Sequence, residues 1–237
     1  MGKMLNHEQL LSAIRDKLDH PATPRELLQA LDLPSEERPT FKRLLADLVD
    51  SGELVETRGN RFGLPDKMNL IVGRMVINPR GFGFVVPDRP LDNVKGDLYI
   101  AGSNLNQAMH GDRVVARLER VSADRAEGRI VRVLQRGSET IVGRFDMDGL
   151  GLGFVVPFDR RLIMDVQIPP GEHLDARPGD MVVVRITRWP TPTRGPLGRV
   201  TEVLGDINEP GVDNEIIIRK FGLPDEHSDE ADRKSVV

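Results

Sequence analysis

One block of sixteen residues recurs without a gap seventy positions along the chain: VGRMVINPRGFGFVVP (72–87) aligns on VGRFDMDGLGLGFVVP (142–157). Two shorter blocks follow in the same order, GDRVVAR (111–117) against GDMVVVR (179–185) and GRIVRVL (128–134) against GRVTEVL (198–204). Three colinear matches mean that one unit is present twice. A unit of about 70 residues is too long for a solenoid repeat and suits a small independent domain. The copies are bounded at 68–137 and 138–205.

Within each copy, short β-branched runs such as FGFVV, DLYIA and RVVARLE are separated by Gly, Pro, Asp and Asn turns, which is the pattern of strands. Pro87 and Pro157 stop their strands, because proline cannot donate to a sheet ladder. About five strands per copy predict a small Greek-key barrel of the OB type.

Residues 1–67 follow a helical period instead. Leu10, Leu11, Ile14 and Leu18 fall on one stripe. Thr23, Pro24 and Glu26 have the chemistry of an N-cap, a first-turn proline and a capping box. Phe41, Leu44, Leu45, Leu48 and Val49 make an apolar stripe on a third helix, which stops at Gly52. ELVETRGNRFGLP (53–65) predicts a hairpin turning at Gly59 and Asn60. Three helices and a hairpin predict a winged helix-turn-helix, so the expected fold class is α+β and multi-domain, with two five-stranded barrels after the winged helix. Residues 206–237 read as a connector with one short strand, EIIIRKF, and an acidic tail.

The chain of 237 residues has no cysteine and a net charge of -4. Disulfides, thiolate metal sites and Cys nucleophiles are therefore excluded. No apolar run approaches the length of a membrane span and the N-terminus lacks a secretory pattern, so a cytoplasmic protein is expected. The charge is uneven: 1–67 carries 10 basic and 12 acidic side chains, 68–138 carries 11 and 7, 139–205 carries 8 and 9, and 206–237 carries 4 and 9. Only the first repeat is net basic. All but one of its cations are arginine, which pairs with phosphate and stacks on bases.

That basic segment also holds RGFGFVVPD (80–88). Alternate residues share one face of a strand, so Phe82 and Phe84 point together while Gly81, Gly83 and Val85 point away. Two rings in a strand are more often core than site. Arg80 beside them, Tyr99 in the next strand and the local positive charge favour a second reading, a platform on which unpaired bases stack.

NPRGFGFVVPD followed by DLYI (97–100) resembles the two ribonucleoprotein motifs of cold-shock domains. With the domain order and EPGVDNEIIIRKFGLP (209–224), the chain resembles the front of the ribonuclease II family of processive 3′-to-5′ exoribonucleases. The resemblance implies single-stranded RNA as partner, with Arg80, Phe82, Phe84 and Tyr99 in contact with it and Arg74 on the same domain. It extends to structured RNA at the winged helix. The second copy departs from the pattern. Leu150 and Leu152 replace Arg80 and Phe82, and Val166 or Gln167 replaces the tyrosine. Phe154 remains, with Phe145 as a further candidate ring and Arg144, Arg160, Arg161 and Arg185 as phosphate contacts.

Members of that family cut RNA in a separate domain where clustered aspartates hold magnesium. No such domain follows here, so no catalytic residue, cofactor or metal is expected in this chain. The carboxylates Asp225, Glu226, Asp229, Glu230 and Asp232 lack a folded scaffold and read as a solvated tail. His7, His20, His110, His173 and His227 show no ligand spacing, and His110 reads as a surface loop residue. Trp189, in a proline-rich loop, is open between packing and function. Two readings of the whole compete: the RNA-gripping part of an exonuclease, or a stand-alone RNA chaperone or translational regulator. DNA regulation through Arg38, Lys42, Arg43, Arg58 and Arg61 is opposed by the acidic balance of that segment.

Overall fold

The computed structural model describes residues 6–33, 37–90, 96–122 and 125–221. The chain divides into two compact units, Met1–Gly137 and Ser138–Val237.

The first unit opens with α1 (His7–Lys17), α2 (Pro24–Ala30) and α3 (Arg38–Asp50), then a hairpin of β1 (Val55–Thr57) and β2 (Arg61–Gly63). Asn6 and Gln9 form a capping box on α1, as Thr23 and Glu26 do on α2. The two predicted stripes converge, joined by Leu27 of α2. Leu10, Ile14, Leu27, Phe41 and Leu48 form one core with Leu54 of the approach to the hairpin. Arg61 is fastened inside this module, donating to the Pro21 carbonyl at 2.8 Å and reaching Glu26 at 3.3 Å.

The first barrel follows: β3 (Leu70–Ile77), β4 (Gly83–Pro87), β5 (Leu98–Ile100), β6 (Arg113–Val121) and β7 (Ala126–Gln135). It closes in the order β3-β4-β5-β7-β6, with β5 and β7 parallel and β6 paired back to β3. Its interior is filled by Met75, Val85, Leu98, Ile100, Val114 and Ile130, each 2% exposed or less.

The second unit repeats this with β8 (Thr140–Met147), β9 (Gly153–Pro157), β10 (Val166–Ile168), β11 (Asp180–Arg188) and β12 (Leu197–Asp206). Closure runs through β8-β9-β10-β12-β11, the same cyclic order. Each copy is thus a closed five-stranded OB barrel.

The last element differs from expectation. Residues 212–221 form helix α4 (Val212–Phe221), where the isoleucine run predicts a strand. Its four-residue period decides the outcome: Val212 and Ile216 share one face, and that face is buried against Val142, Met181 and Val183. Asp213 and Glu215 in the first turn and Arg219 and Lys220 in the last complement the helix dipole.

The two repeats also share a turn held by an aspartate. Asp112 accepts from the Met109 N–H at 2.8 Å, the Gly137 N–H at 2.9 Å and Arg136 at 2.9 Å, and is 1% exposed. Burial pushes its carboxyl up, against the pull of those donors. Asp180 stands at the matching place in the second repeat and accepts from the Arg177 N–H at 2.8 Å.

Candidate nucleic-acid interface

Strand pairing assembles the aromatic residues. On the outer face of the first barrel, Val76 stands opposite Phe84, and Phe84 opposite Tyr99. Phe82 is delivered just before β4 by a tight turn, in which the Asn78 N–H donates to the Phe82 carbonyl at 2.7 Å and the Gly81 N–H to the Asn78 carbonyl at 2.9 Å. The three rings touch one another: centroids lie 5.8 Å apart for Phe82–Phe84, 5.7 Å for Phe82–Tyr99 and 5.8 Å for Phe84–Tyr99. All three are half-buried, whereas Gly83, Val85, Leu98 and Ile100 on the opposite face are buried. The rings therefore lie on the outer surface, not in the core.

The glycines have separate reasons. Gly81 turns the chain at φ +89°, a conformation that costs other residues roughly 1–2 kcal/mol. Gly83 faces Met75 so closely that a Cβ would collide with the Met75 methyl group and lie 2.8 Å from the Val76 carbonyl. The alternation of Gly and Phe is thus a thin inner face beneath a broad outer one.

Sequence reasoning missed Arg125. Its guanidinium lies 4.4 Å from the Tyr99 ring centroid, within cation–π range, and it is paired with Glu127. Glu127 stands directly opposite Tyr99 across the parallel β5–β7 pairing. The crossover pairing is non-local, so neither neighbour is evident from sequence spacing. Arg74 and Arg80 are both exposed. Arg74 is one outward position along β3 from Val76, and stands opposite Val86.

The second barrel keeps the geometry and loses the rings. The Asp148 N–H donates to the Leu152 carbonyl at 3.0 Å and the Gly151 N–H to the Asp148 carbonyl at 3.0 Å, reproducing the first turn. Leu150 and Leu152 occupy the places of Arg80 and Phe82, 88% and 53% exposed. The cross-strand row reads Asp146, Phe154 and Gln167, so Gln167, and not the buried Val166, replaces the tyrosine. Phe154 is half-buried on the outer face. Phe145 is corrected: it is fully buried, with its ring 5.8 Å from that of His173, because its one-residue offset from Asp146 turns it inward.

The arginines of this unit separate similarly. Arg160 and Arg185 are exposed. Arg144 is exposed and approaches Asp146 at 3.9 Å. Arg161 is committed to Asp159, donating at 2.7 and 2.9 Å, which removes it from the free cations. The Arg161 guanidinium, with Lys220 at 3.4 Å, holds the Asp159 carboxyl well below the usual carboxylate range.

Trp189 is half-buried. His110 also departs from expectation: half-buried, its Nδ1 accepts from the Ile77 N–H at 3.2 Å, so it supports the end of β3. Among the described residues, no group of three or more His, Asp or Glu side chains could hold a metal ion, and no helix is long and apolar enough to cross a membrane. The acidic residues 225–232 and His227 lie outside the described residues.

Two barrels of one cyclic order, the first carrying an outer cluster of rings, define a tandem OB-fold protein of the cold-shock type. Comparison with known proteins agrees: residues 73–133 match the ribonuclease B OB domain and residues 154–228 the cold shock domain. Over almost its whole length the chain is similar to part of ribonuclease R. It is 32% identical over 232 residues to ribonuclease R of Acidithiobacillus ferrooxidans, covering 96% of this chain and 51% of that protein. It is 36% identical over 212 residues to ribonuclease R of Escherichia coli, covering 88% of this chain and 25% of that protein. The chain thus spans about half the length of one relative and a quarter of the other. In fold it is similar to Mycoplasma genitalium RNase R in complex with ribose methylated single-stranded RNA, with TM-score 0.57, 20% identity and coverage of 70% of this chain and 27% of that one. It is also similar to yeast Ssd1, a pseudonuclease, with TM-score 0.53, 20% identity and coverage of 79% and 26%.

Proposed function

We propose that this chain grips single-stranded RNA on the outer face of its first barrel, as the substrate-holding part of a ribonuclease R-like 3′-to-5′ exoribonuclease. The observation that carries this reading is the mutual contact of Phe82, Phe84 and Tyr99 on the outer face of the barrel. Half-buried rings in contact present π-faces to a solvent-borne base, and base stacking of this kind contributes roughly 1–3 kcal/mol per base with little sequence preference. Arg125 and Arg80 supply cations at the edge of the platform. The second barrel, with Phe154 alone in the matching cross-strand row, is a weaker stacking surface whose contribution comes from Arg144, Arg160 and Arg185. Hydrolysis, with its magnesium, belongs to residues outside this chain, and the setting is the cytoplasm.

We read the three helices and hairpin as a winged helix that serves structured RNA or packing. Arg61, one of the two hairpin arginines, is occupied by Pro21 and Glu26, which supports packing over groove reading.

The test is fluorescence anisotropy of a labelled single-stranded RNA, with the chain and with its Phe82→Ala/Phe84→Ala/Tyr99→Ala variant. The expected result is salt-dependent binding that weakens by roughly 1 kcal/mol or more per ring removed. Equal binding by the variant sinks the platform reading.

A further inference from the structure

The first barrel has a second concave feature beside the platform, a cleft of about 220 Å³ lined by Arg74, Asp88, Gly111, Arg113, Arg136 and Gly137 among others. Arg74 and Arg113 stand directly opposite one another on β3 and β6. Like charges in that relationship are destabilising unless something compensates them. Asp88 holds Arg113 by two bonds to one carboxylate oxygen, at 2.9 and 2.7 Å. Asp112 and the Gln107 carbonyl hold Arg136 through its Nη1, both at 2.9 Å. Arg74 has no ion-pair partner among the described residues. Three guanidinium groups therefore face two carboxylates, and two of the three are fixed in place before any ligand arrives.

The internal repeat shows that the fold does not need this set. At the matching positions the second barrel keeps Arg144 for Arg74, but has Phe158 for Asp88, Met181 for Arg113 and Asp206 for Arg136. It closes in the same cyclic order without them. The full set of charges is found in the first barrel and not in the second, and the first barrel carries the ring cluster.

We propose that Arg74, Arg113 and Arg136 form an oxyanion cleft that takes a phosphate of the RNA backbone. Arg74 lies two residues along β3 from Val76, which stands in the row of Phe84 and Tyr99, a separation of roughly 7 Å at strand rise. A strand whose bases stack on the rings then passes its backbone over the cleft. Fixed guanidinium groups suit phosphate because their donors match its oxygens in pairs. This assignment rests on the RNA reading above, and its test is separable from it.

The test measures the salt dependence of binding to a single-stranded oligoribonucleotide for Arg74→Gln, Arg113→Met and Phe84→Ala. Arg74 has no ion-pair partner among the described residues, and methionine is the residue the second barrel uses at position 181; Arg113→Met gives up the ion pair with Asp88, whose partly exposed carboxylate is left to solvent, and leaves the barrel core untouched. Each arginine variant is expected to lower the slope of log K against log salt by roughly 0.7, one single-strand phosphate contact, while Phe84→Ala weakens binding with the slope unchanged. Binding with an unaltered slope in both arginine variants overturns the cleft. If the wild type binds no RNA, the platform reading fails, and inorganic phosphate is titrated instead against the amide signals of Gly111 and Gly137 by NMR. Saturable shifts that vanish in Arg113→Met support the cleft as a site for free phosphate; no shifts overturn it.

Discussion

Arg132 and Glu202 occupy the same place in the two repeats, opposite Val115 and Val183 respectively, and each secures a different cover over its barrel. Arg132 donates to the Val49 carbonyl at the end of α3, at 3.1 Å. Glu202 accepts two bonds from Arg219 of α4, both at 2.9 Å. Beneath each lies an apolar patch at equivalent positions. Val72, Val115 and Leu134 pack with Val55 of the hairpin, and Val142, Val183 and Leu204 with Val212 and Ile216 of α4. An OB barrel whose strands are apolar on both faces needs a lid on that side, and the repeat supplies the same need twice with two unrelated solutions.

The weights of the two contributions in the second unit can be compared. Glu202 and Arg219 side chains are 40% and 27% exposed, a setting where an ion pair contributes about 0.2–1 kcal/mol. Ile216 is 1% exposed, and truncating such a residue to alanine costs about 2–5 kcal/mol. Ile216→Ala is expected to release α4 and destabilise the second barrel, with Glu202→Gln several-fold milder. Urea denaturation followed by hydrogen exchange of the α4 amides checks both; equal effects would mean that the ion pair, not the apolar face, docks the helix.

The two classes of phenylalanine make opposite predictions. Phe145→Ala removes a fully buried ring and is expected to cost about 3–5 kcal/mol of stability. Phe84→Ala removes a half-buried ring from the surface cluster, so its stability loss is expected to be much smaller while RNA affinity falls. Paired thermal melts and anisotropy titrations separate them. A Phe84→Ala variant as unstable as Phe145→Ala would return that ring to the core.

Gly83→Ala tests why glycine stands between the rings. The added methyl has no space beside Met75 and the Val76 carbonyl, and overpacking of this kind costs typically 1–3 kcal/mol. Met75 is the neighbour able to yield, so the loss in Gly83→Ala combined with Met75→Ala is expected to be smaller than the sum of the two single losses. Melting temperatures of the single and double variants decide it; additive losses would locate the strain in the β3 backbone.

Much of this architecture is legible in the sequence because it is local. The stripe Phe41, Leu44, Leu45, Leu48 and Val49 repeats with the helical period, and the Thr23–Glu26 capping box has a fixed spacing, so both are found in the fold. The barrels are legible because the chain states them twice. What escapes is non-local. Arg125 reaches Tyr99 only through the parallel β5–β7 crossover. Phe145 faces inward by a one-residue difference in register that resemblance to a ring-bearing strand does not reveal. α4 escapes because β-branched residues favour strands locally, while the apolar patch that makes a helix of them lies on β8, β11 and β12.

Asp159 gives the second unit an acid-sensitive tie. Its carboxyl is held below the ordinary range first by the hydrogen bonds from Arg161, with Lys220 adding a coulombic pull that links the loop after β9 to α4. A folded-state pKa depressed below the unfolded value means stability that is fully present above the unfolded value of about 4 and lost as pH falls through the folded one. The wild type is therefore expected to exceed Asp159→Asn in stability at neutral pH, with the gap narrowing progressively below about pH 4. Urea midpoints of both proteins between pH 7 and pH 3 measure the gap. A difference that stays constant across that range would mean that Asp159 acts through packing or neutral hydrogen bonding, and that its charge contributes nothing to holding α4.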